Sequence, residues 1–240
     1  MAIQAGETTF HQAKRGIVQN GLVLNLDAGV EESYNGGTTW TDLSTSKVNG
    51  TLTNMDASNL STDNAGSLTF DGADEHVNCG DNFSFLDDPD ANEFTITSWI
   101  NGDSGADGTI FSKADRYARM VQFFTQTDDT AYIKLGGTDI TSLALVTDGT
   151  WHNVGMKVRN DGGTYKGRIY VDGVSVTEES AVGSTTVTAD FLIGARRNSG
   201  NTGLGYLFDG KIANCLIYNR VLSDAEILQN YNAMKHRFGI

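Results

Sequence analysis

The sequence has little of what stiffens or crosslinks a chain: its 240 residues include one proline, Pro89, and two cysteines, Cys79 and Cys215. Two cysteines are too few for a disulfide scaffold, so we expect free, buried thiols. No linker-like tract divides the chain, which favours one domain. No apolar run reaches the length of a membrane span, and no signal peptide is recognisable, so we expect synthesis in a cytoplasm and no membrane contact.

Positive charge is also scarce, with 17 Lys and Arg residues against 30 Asp and Glu residues and a formal net charge of −13. An acidic surface repels phosphate backbones, which excludes nucleic acid as the expected partner. Residues 1–20 differ, because this polar N-terminal arm is slightly basic. Its candidate docking residues are His11, Lys14 and Arg15, but a frayed terminus explains the same composition.

Catalytic motifs are missing as well. The chain has no Gly-x-Ser-x-Gly elbow, no His-Glu-x-x-His zinc motif, no phosphate loop and no Cys-x-x-Cys pair. The glutamates form no Glu-x-Asp-x-x-Glu run that would place two carboxylates on one strand face for glycoside hydrolysis. The four histidines are scattered along the chain. We therefore predict a non-enzymatic protein.

What the chain does contain is the pattern of many short strands. Its 28 glycines suit tight turns, and Asn160-Asp-Gly-Gly163 is a hairpin signal. Alternating apolar residues predict strands at 22–27, 48–53, 67–72, 75–78, 94–100, 109–113, 119–125, 130–135, 143–146, 151–159, 166–171, 191–195 and 211–218. Ser223 and Glu226 have capping-box spacing, which predicts a helix from 224 to about 237. This pattern indicates an all-β, two-sheet antiparallel sandwich with one short C-terminal helix.

Several local motifs follow one another in a characteristic order, at 24–28, 39–44, 50–53, 66–72, 94–99, 151–152, 169–173, 192–194 and 206–227. Together they resemble laminin-G-like (concanavalin A-like) jelly-roll domains, of the kind found in structural proteins of large tailed, marine bacteriophages. The resemblance covers roughly residues 21–237, so we assign residues 21–240 to a laminin-G-like jelly-roll domain. It implies a jelly-roll fold more strongly than it implies a function.

The resemblance implies a virion structural protein, first of all a capsid decoration protein. Such a protein would dock on a phage capsid or another virion protein by its N-terminal arm and display a lectin-like domain on the virion surface. The alternative is a carbohydrate-binding adhesin, on a tail or a cell surface, that recognises host glycans. Both roles are compatible with one protein, and a homo-oligomer would suit a capsid lattice.

Basic and polar residues in two segments form the predicted ligand site. These residues are Asp115, Arg116, Tyr117 and Arg119 with Arg196, Arg197, Asn198 and Asn201. Arginine and tyrosine side chains hydrogen-bond to and stack on sugars, or clamp a carboxylate. Ion pairing with neighbouring acids is the alternative explanation for the same residues.

Structural calcium is the expected cofactor if the chain has one. Asp71 and Asp74 place two carboxylates across a tight turn, and similar jelly rolls often hold calcium near that turn. The alternative is that both side chains cap the turn through hydrogen bonds to the backbone. One departure from the family weakens such a site, because Ala213 and Asn214 stand where relatives often carry an acid.

Overall fold

The computed structural model describes residues 16–105, 107–116, 119–183, 188–198 and 203–240. Its first strands are β1 (Leu22–Asp27), β2 (Thr39–Trp40), β3 (Gly50–Thr53), β4 (Leu60–Ser61), β5 (Ser67–Asp71), β6 (His76–Asn78), β7 (Phe94–Gly102), β8 (Gly108–Arg116), β9 (Arg119–Thr125) and β10 (Thr130–Leu135). They are followed by β11 (Thr138–Leu145), β12 (His152–Asp161), β13 (Thr164–Val171), β14 (Val174–Ser175), β15 (Ser180–Ala181), β16 (Phe191–Ile193), β17 (Arg196–Arg197), β18 (Leu204–Gly205) and β19 (Asp209–Tyr218). The helix α1 covers Asp224–Met234, and short 3-10 helices lie at Ala57–Asn59, Asp63–Ala65, Ser84–Leu86 and Lys235–Phe238.

Two antiparallel sheets form the sandwich. The first sheet has the order β14-β13-β12-β7-β19-β5-β4, with β1 added beside β19 and β15 beside β13. The second sheet has the order β11-β10-β9-β8-β16-β6-β3-β2, and β17 and β18 form a separate small hairpin. The predicted all-β, two-sheet jelly-roll architecture is therefore confirmed.

The core lies between the two sheets and is rich in aromatic rings. Phe111, Phe123 and Phe191 of the second sheet pack on one another, with ring centroids 5.5 and 6.3 Å from Phe111. They face Ile96 and Ile217 of the first sheet in one continuous apolar cluster. Burial of this cluster supplies the main driving force for folding.

The first sheet is buried on its outer face as well, because the C-terminal segment packs across it. Trp99 on β7 stacks on Phe238 with ring centroids 4.2 Å apart, and Trp151 lies 4.6 Å from the same ring. Residues before β1 join this cover: the Val18 N–H donates to the Asn230 side chain over 2.8 Å. Residues 16–20, which the sequence analysis placed in the N-terminal arm, thus pack against the domain.

The helix begins at the predicted capping box. The Ser223 side chain accepts from the Glu226 N–H, and the Glu226 carboxylate accepts from the Ser223 N–H. The predicted end near 237 was too late, because regular α-helix stops at Met234 and a 3-10 turn continues to Phe238. Among the described residues, no helix has both the length and the apolar character needed to cross a bilayer.

Two further predictions are settled by the fold. Cys79 and Cys215 are free and buried, as expected, and burial raises the pKa of the Cys79 thiol to about 12. The predicted strand at 143–146 was placed too late, since β11 runs over Thr138–Leu145. β11 is an edge strand whose exposed positions include Leu143 and Leu145 and whose buried positions include Ser142, so its sequence shows little apolar periodicity.

Candidate functional site

The loops at one end of the sandwich form an acidic rim. We define the rim by residues 72–75, 103–105, 107, 126–129, 146–151 and 206–208, with the flanking strand ends. Backbone and side-chain bonds hold these loops together: the Gly105 N–H donates to Asp129, and the Gly149 N–H donates to the Gly102 carbonyl. The rim residues named here include seven acids and no lysine or arginine. This end of the molecule therefore carries a negative potential.

A pocket of about 450 Å³ opens in the rim. Its lining residues are Asp71, Gly72, Asp107, Tyr206, Leu207 and Asp209. The fold brings its carboxylates together because Asp209, which opens β19, is the ladder partner of Asp71 at the end of β5. Gly72 is required at the turn: its φ is 71°, and a β-carbon there would lie 3.2 Å from the Asp209 β-carbon.

Tyr206 is the aromatic side of this pocket. Its backbone has a positive φ of 52°, which is uncommon for a bulky residue, and its carbonyl accepts from the Thr109 N–H over 2.7 Å. The guanidinium of Arg196 stacks on the ring at 3.9 Å from its centroid. Tyr206 keeps 36% of its surface exposed whereas Arg196 keeps 4%, so the arginine backs a ring that faces solvent.

The carboxylates of the pocket interact with one another. Burial raises the pKa of Asp209, and the charges of Asp103 and Asp71 raise it further. Asp71 also accepts a hydrogen bond from the Ala73 N–H, as a turn-capping aspartate does. The pocket thus offers hydrogen-bond acceptors, and one of its carboxyl groups is easier to protonate than a free aspartate.

His152 lies beside the rim with both ring nitrogens engaged. Nδ1 is 2.8 Å from the Asp172 carboxylate, and Nε2 is 3.1 Å from the Thr150 hydroxyl and 3.3 Å from Asp148. The bond to Asp172 is the main reason why the pKa of His152 is raised. From the sequence alone, His152 was one of four histidines scattered along the chain, with no predicted role. Its partners come from two different turns, which only the fold brings together.

The predicted ligand residues fall into several environments. Asp115, Arg116 and Arg119 lie on β8 and β9 near their connection, and β17, formed by Arg196 and Arg197, lies beside β8. Tyr117 and Asn201 lie outside the described residues.

The arginines and the asparagine of β17 and its neighbour have protein partners. Arg196 stacks beneath Tyr206, Arg197 bonds to Asp190 over 2.6 Å, and the Asn198 amide donates to the Leu204 carbonyl. Asn198 and Arg197 therefore support the β17–β18 hairpin. The assignment of this set as a ligand site stays a prediction.

The predicted docking residues His11, Lys14 and Arg15 lie outside the described residues. For calcium, Asp71 and Asp74 alone do not complete a site: within the described part of the chain, no three His, Cys, Asp or Glu side chains group as metal ligands. Ala213 and Asn214 are buried beneath the C-terminal cover, where the Asn214 side chain accepts from the Trp99 N–H over 2.8 Å. An acid at either position would therefore lie under the helix.

Solved structures with a similar fold come from several proteins. The binding domain of Paraclostridial Mosquitocidal Protein 1 aligns with a TM-score of 0.63 and 14% identity, over 89% of this chain and 52% of that one. Trypanosoma rangeli sialidase in complex with the inhibitor DANA aligns with a TM-score of 0.61 and 14% identity, over 90% of this chain and 33% of that one. The same sialidase with sialic acid gives a TM-score of 0.62 and 16% identity over equal shares.

At such identities the likeness concerns the fold, and the chain spans about one third of the length of the sialidases. No curated protein matches the sequence. The model of the Laminin_G_3 family, described as the concanavalin A-like lectin/glucanases superfamily, matches residues 70–228, well over half of the chain. The lectin-like β-sandwich and the sequence match agree, and the chain belongs to this family.

Proposed function

We propose that the chain is a glycan-binding module without enzymatic activity, and that its ligand binds in the rim pocket. The observation that carries this proposal is the solvent-facing ring of Tyr206 opposite the carboxylates of Asp71, Asp107 and Asp209. Sugars present an apolar face that packs on an aromatic ring and hydroxyl groups that donate to carboxylates. A pocket with one apolar wall and a few placed acceptors is suited to such a ligand.

The charge of the rim narrows the class of glycan. A carboxylate-bearing sugar such as sialic acid would enter a negative field with no lysine or arginine among the described rim loops. The likeness to a sialidase bound to sialic acid therefore does not extend to that ligand. We propose a neutral or amino-bearing glycan, whose hydroxyl or ammonium groups donate to Asp107 and Asp209.

Binding without turnover is part of the proposal. Glycoside hydrolysis needs one protonated carboxyl and one carboxylate placed on either side of the scissile bond. Asp71 is committed to its turn through the Ala73 N–H, which supports a binding role for the pocket. Incubation of the protein with each bound polysaccharide, followed by a reducing-end assay, tests this point. If the wild-type protein releases sugar and the Asp209→Asn variant does not, the protein is a hydrolase and the proposed binding role without turnover is wrong.

A glycan array with neutral, amino and sialylated glycans tests the main proposal. We expect binding of neutral or amino glycans, and we expect Tyr206→Ala to weaken it about tenfold because the stacking surface is removed. Leu228→Ala is the matched control, since Leu228 is an exposed side chain on α1 and is not among the residues that line the pocket. Binding that survives both Tyr206→Ala and Asp209→Asn would refute the pocket as the site.

Display on a virion surface is a second proposal and concerns the arm. It is supported by the way residues 16–20 pack on the C-terminal cover, with the Gly16 carbonyl accepting from Gln229. In this proposal residues 1–15, with His11, Lys14 and Arg15, contact a capsid or other virion protein. Mass spectrometry of purified virions tests it, because absence of the protein from the particle would end it.

Calcium at the Asp71 turn remains a separate proposal. Burial raises the pKa of Asp209, the charges of Asp103 and Asp71 raise it further, and a divalent cation would relieve that charge repulsion. Because Asp71 and Asp74 supply too few ligands, water or glycan oxygens would have to complete the coordination. Calcium-loaded protein would then melt several degrees above chelator-treated protein. Superimposable melting curves for the two samples would show that the protein binds no stabilising calcium.

A further inference from the structure

Three aromatic side chains follow one line across the outer face of the second sheet. Tyr206 is joined to Thr109 of β8 by its carbonyl, and Thr109 is the ladder partner of Phe124 on β9. Phe124 is in turn the ladder partner of Tyr132 on β10. We call Tyr206, Phe124 and Tyr132 the aromatic row. It runs from the rim pocket across the strands, which are spaced about 4.8 Å apart.

The rings of the row face away from the core. Phe123 and Ile133 belong to the core cluster, and successive side chains of a strand point to opposite faces. Phe124 and Tyr132 therefore point outward, where their ring centroids lie 4.4 Å apart at an angle of 50°. Both side chains are half-buried, so each keeps part of its ring open to solvent.

Polar groups flank the end of the row away from the pocket. Lys134 and Asp139 form an ion pair at 3.0 Å, and both remain partly exposed. The Tyr132 hydroxyl donates to the Asp139 carboxylate, and this bond, after burial, raises the pKa of Tyr132. Thr141, the ladder partner of Tyr132, is exposed on the edge strand. Donors and acceptors thus border the rings as they border the rim pocket.

We propose that the aromatic row extends the rim pocket into a track for a glycan chain of several sugars, so that the ligand is a polysaccharide rather than a single terminal sugar. This inference rests on the proposed function. Phe124 and Tyr132 lie on neighbouring strands, about 4.8 Å apart, whereas Thr109 of β8 stands between Tyr206 and Phe124, so only a chain of several sugar units reaches all three rings. The continuity of the row with the pocket favours one long ligand over a separate partner protein on this face.

The test begins with affinity electrophoresis in gels that contain laminarin, glycol chitin or mucin. Disaccharides and hexasaccharides prepared from the polysaccharide that retards the protein are then titrated by calorimetry. We expect the hexasaccharide to bind about tenfold more tightly than the disaccharide. Phe124→Ala and Tyr132→Ala should each lower hexasaccharide affinity about tenfold and leave disaccharide affinity unchanged.

Two further variants separate binding from folding. Thr141→Arg removes no core contact and places a long charged side chain over the row, so it should lower hexasaccharide affinity in a folded protein. Tyr165→Ala is the matched control, because Tyr165 is a half-buried tyrosine of the first sheet outside the row. It should change neither affinity.

The outcomes distinguish this inference from the proposed function. Equal affinities for disaccharide and hexasaccharide, both lost in Tyr206→Ala, would overturn the track and keep the pocket. A lack of retardation by any glycan, together with an empty glycan array, would overturn both. A third outcome is that Phe124→Ala or Thr141→Arg changes the sedimentation of the protein but not its glycan affinity. This face would then be a contact between protein molecules, and the track would be overturned.

Discussion

The outer faces of the two sheets differ in how far they are covered by the rest of the chain. The first sheet is covered by its own chain, and its outward Trp99 is fully buried between Tyr231 and Phe238. The second sheet presents Phe124 and Tyr132 with part of each ring exposed. Aromatic residues thus serve stability on one face and remain available to a ligand on the other.

This difference shows why a fold alone does not define a binding surface. Both faces belong to antiparallel sheets, and the C-terminal segment, joined by the residues before β1, covers one of them. That segment is α1 with the following turn, clamped by Arg237 and capped by Ser223 and Glu226. Release of the cover should expose the outer face of the first sheet, and substitution of the aromatic residues on one face at a time should separate their contributions to stability and to binding.

Substitution on the covered face should lower the stability most. Trp99→Ala should lower the free energy of unfolding by about 4 kcal/mol, because it leaves a cavity between the sheet and Phe238. Tyr132→Ala on the open face should cost about 1 kcal/mol, mostly through its contact with Phe124. Urea unfolding of both variants measures the difference. Similar losses in the two variants would show that the open face is as structural as the covered one.

Release of the C-terminal clamp should have the next largest effect. Arg237 donates to both Asp27 oxygens over 2.9 and 2.8 Å, and each of the two side chains is less than one sixth exposed. Arg237→Ala leaves the Asp27 carboxylate without this partner and should cost about 3 kcal/mol. Lys235→Ala, two residues away, is the control. Hydrogen exchange should show faster opening of α1 in Arg237→Ala, and an unchanged exchange rate would contradict the clamp.

Most of the fold could be predicted because its signals are local. The capping box at Ser223, the hairpin at Asn160-Asp-Gly-Gly163 and the alternation of β7 each depend on neighbouring residues. β11 was placed too late because its exposed Leu143 and Leu145 and its buried Ser142 run against the usual pattern of apolar residues inside and polar residues outside. The end of α1 was missed because Lys235 to Phe238 still has helical character as a 3-10 turn.

The candidate site depended on pairings that the sequence does not show. Tyr206 meets Thr109, and Asp209 meets Asp71, only because strands distant in sequence become neighbours in the sheets. Arg196, one of the predicted ligand residues, lies buried behind the Tyr206 ring, a placement that the sequence does not show. A tyrosine just before a strand that opens with aspartate was the available signal. The strand order is needed to show that this tyrosine lies beside the carboxylates of the pocket.

The start of the cover gives a smaller, pH-dependent effect. Bonds from Arg220 and from Ser223 hold the pKa of Glu226 at about 2, against a usual value of 4.5. Because the folded value is the lower one, this stabilisation is present above the usual value and is lost as pH falls through about 2. Glu226→Gln should therefore cost about 1 kcal/mol at neutral pH and little in strong acid. Glu178→Gln, at an exposed position, controls for the lost charge, and equal losses at both pH values would contradict this account.

The smallest effect is expected at His152, where the cover meets the rim. Asp172 bonds to His152, and the Gly173 that follows packs so closely on Tyr231 that a β-carbon there would lie 2.9 Å from the Tyr231 β-carbon. The raised pKa of His152, caused first by Asp172 and then by Asp148, means that the protonated form is favoured in the folded state.

The sign of this effect separates it from that of Glu226. Stabilisation by His152 is complete below the usual value of 6.5 and is lost as pH rises through the raised value. We expect a decrease of less than about 1 kcal/mol in wild-type protein and none in His152→Asn. Urea midpoints of both proteins in mildly acidic and mildly alkaline buffer measure it. A variant that keeps the wild-type pH slope would show that the imidazole does not link the rim to the covered face.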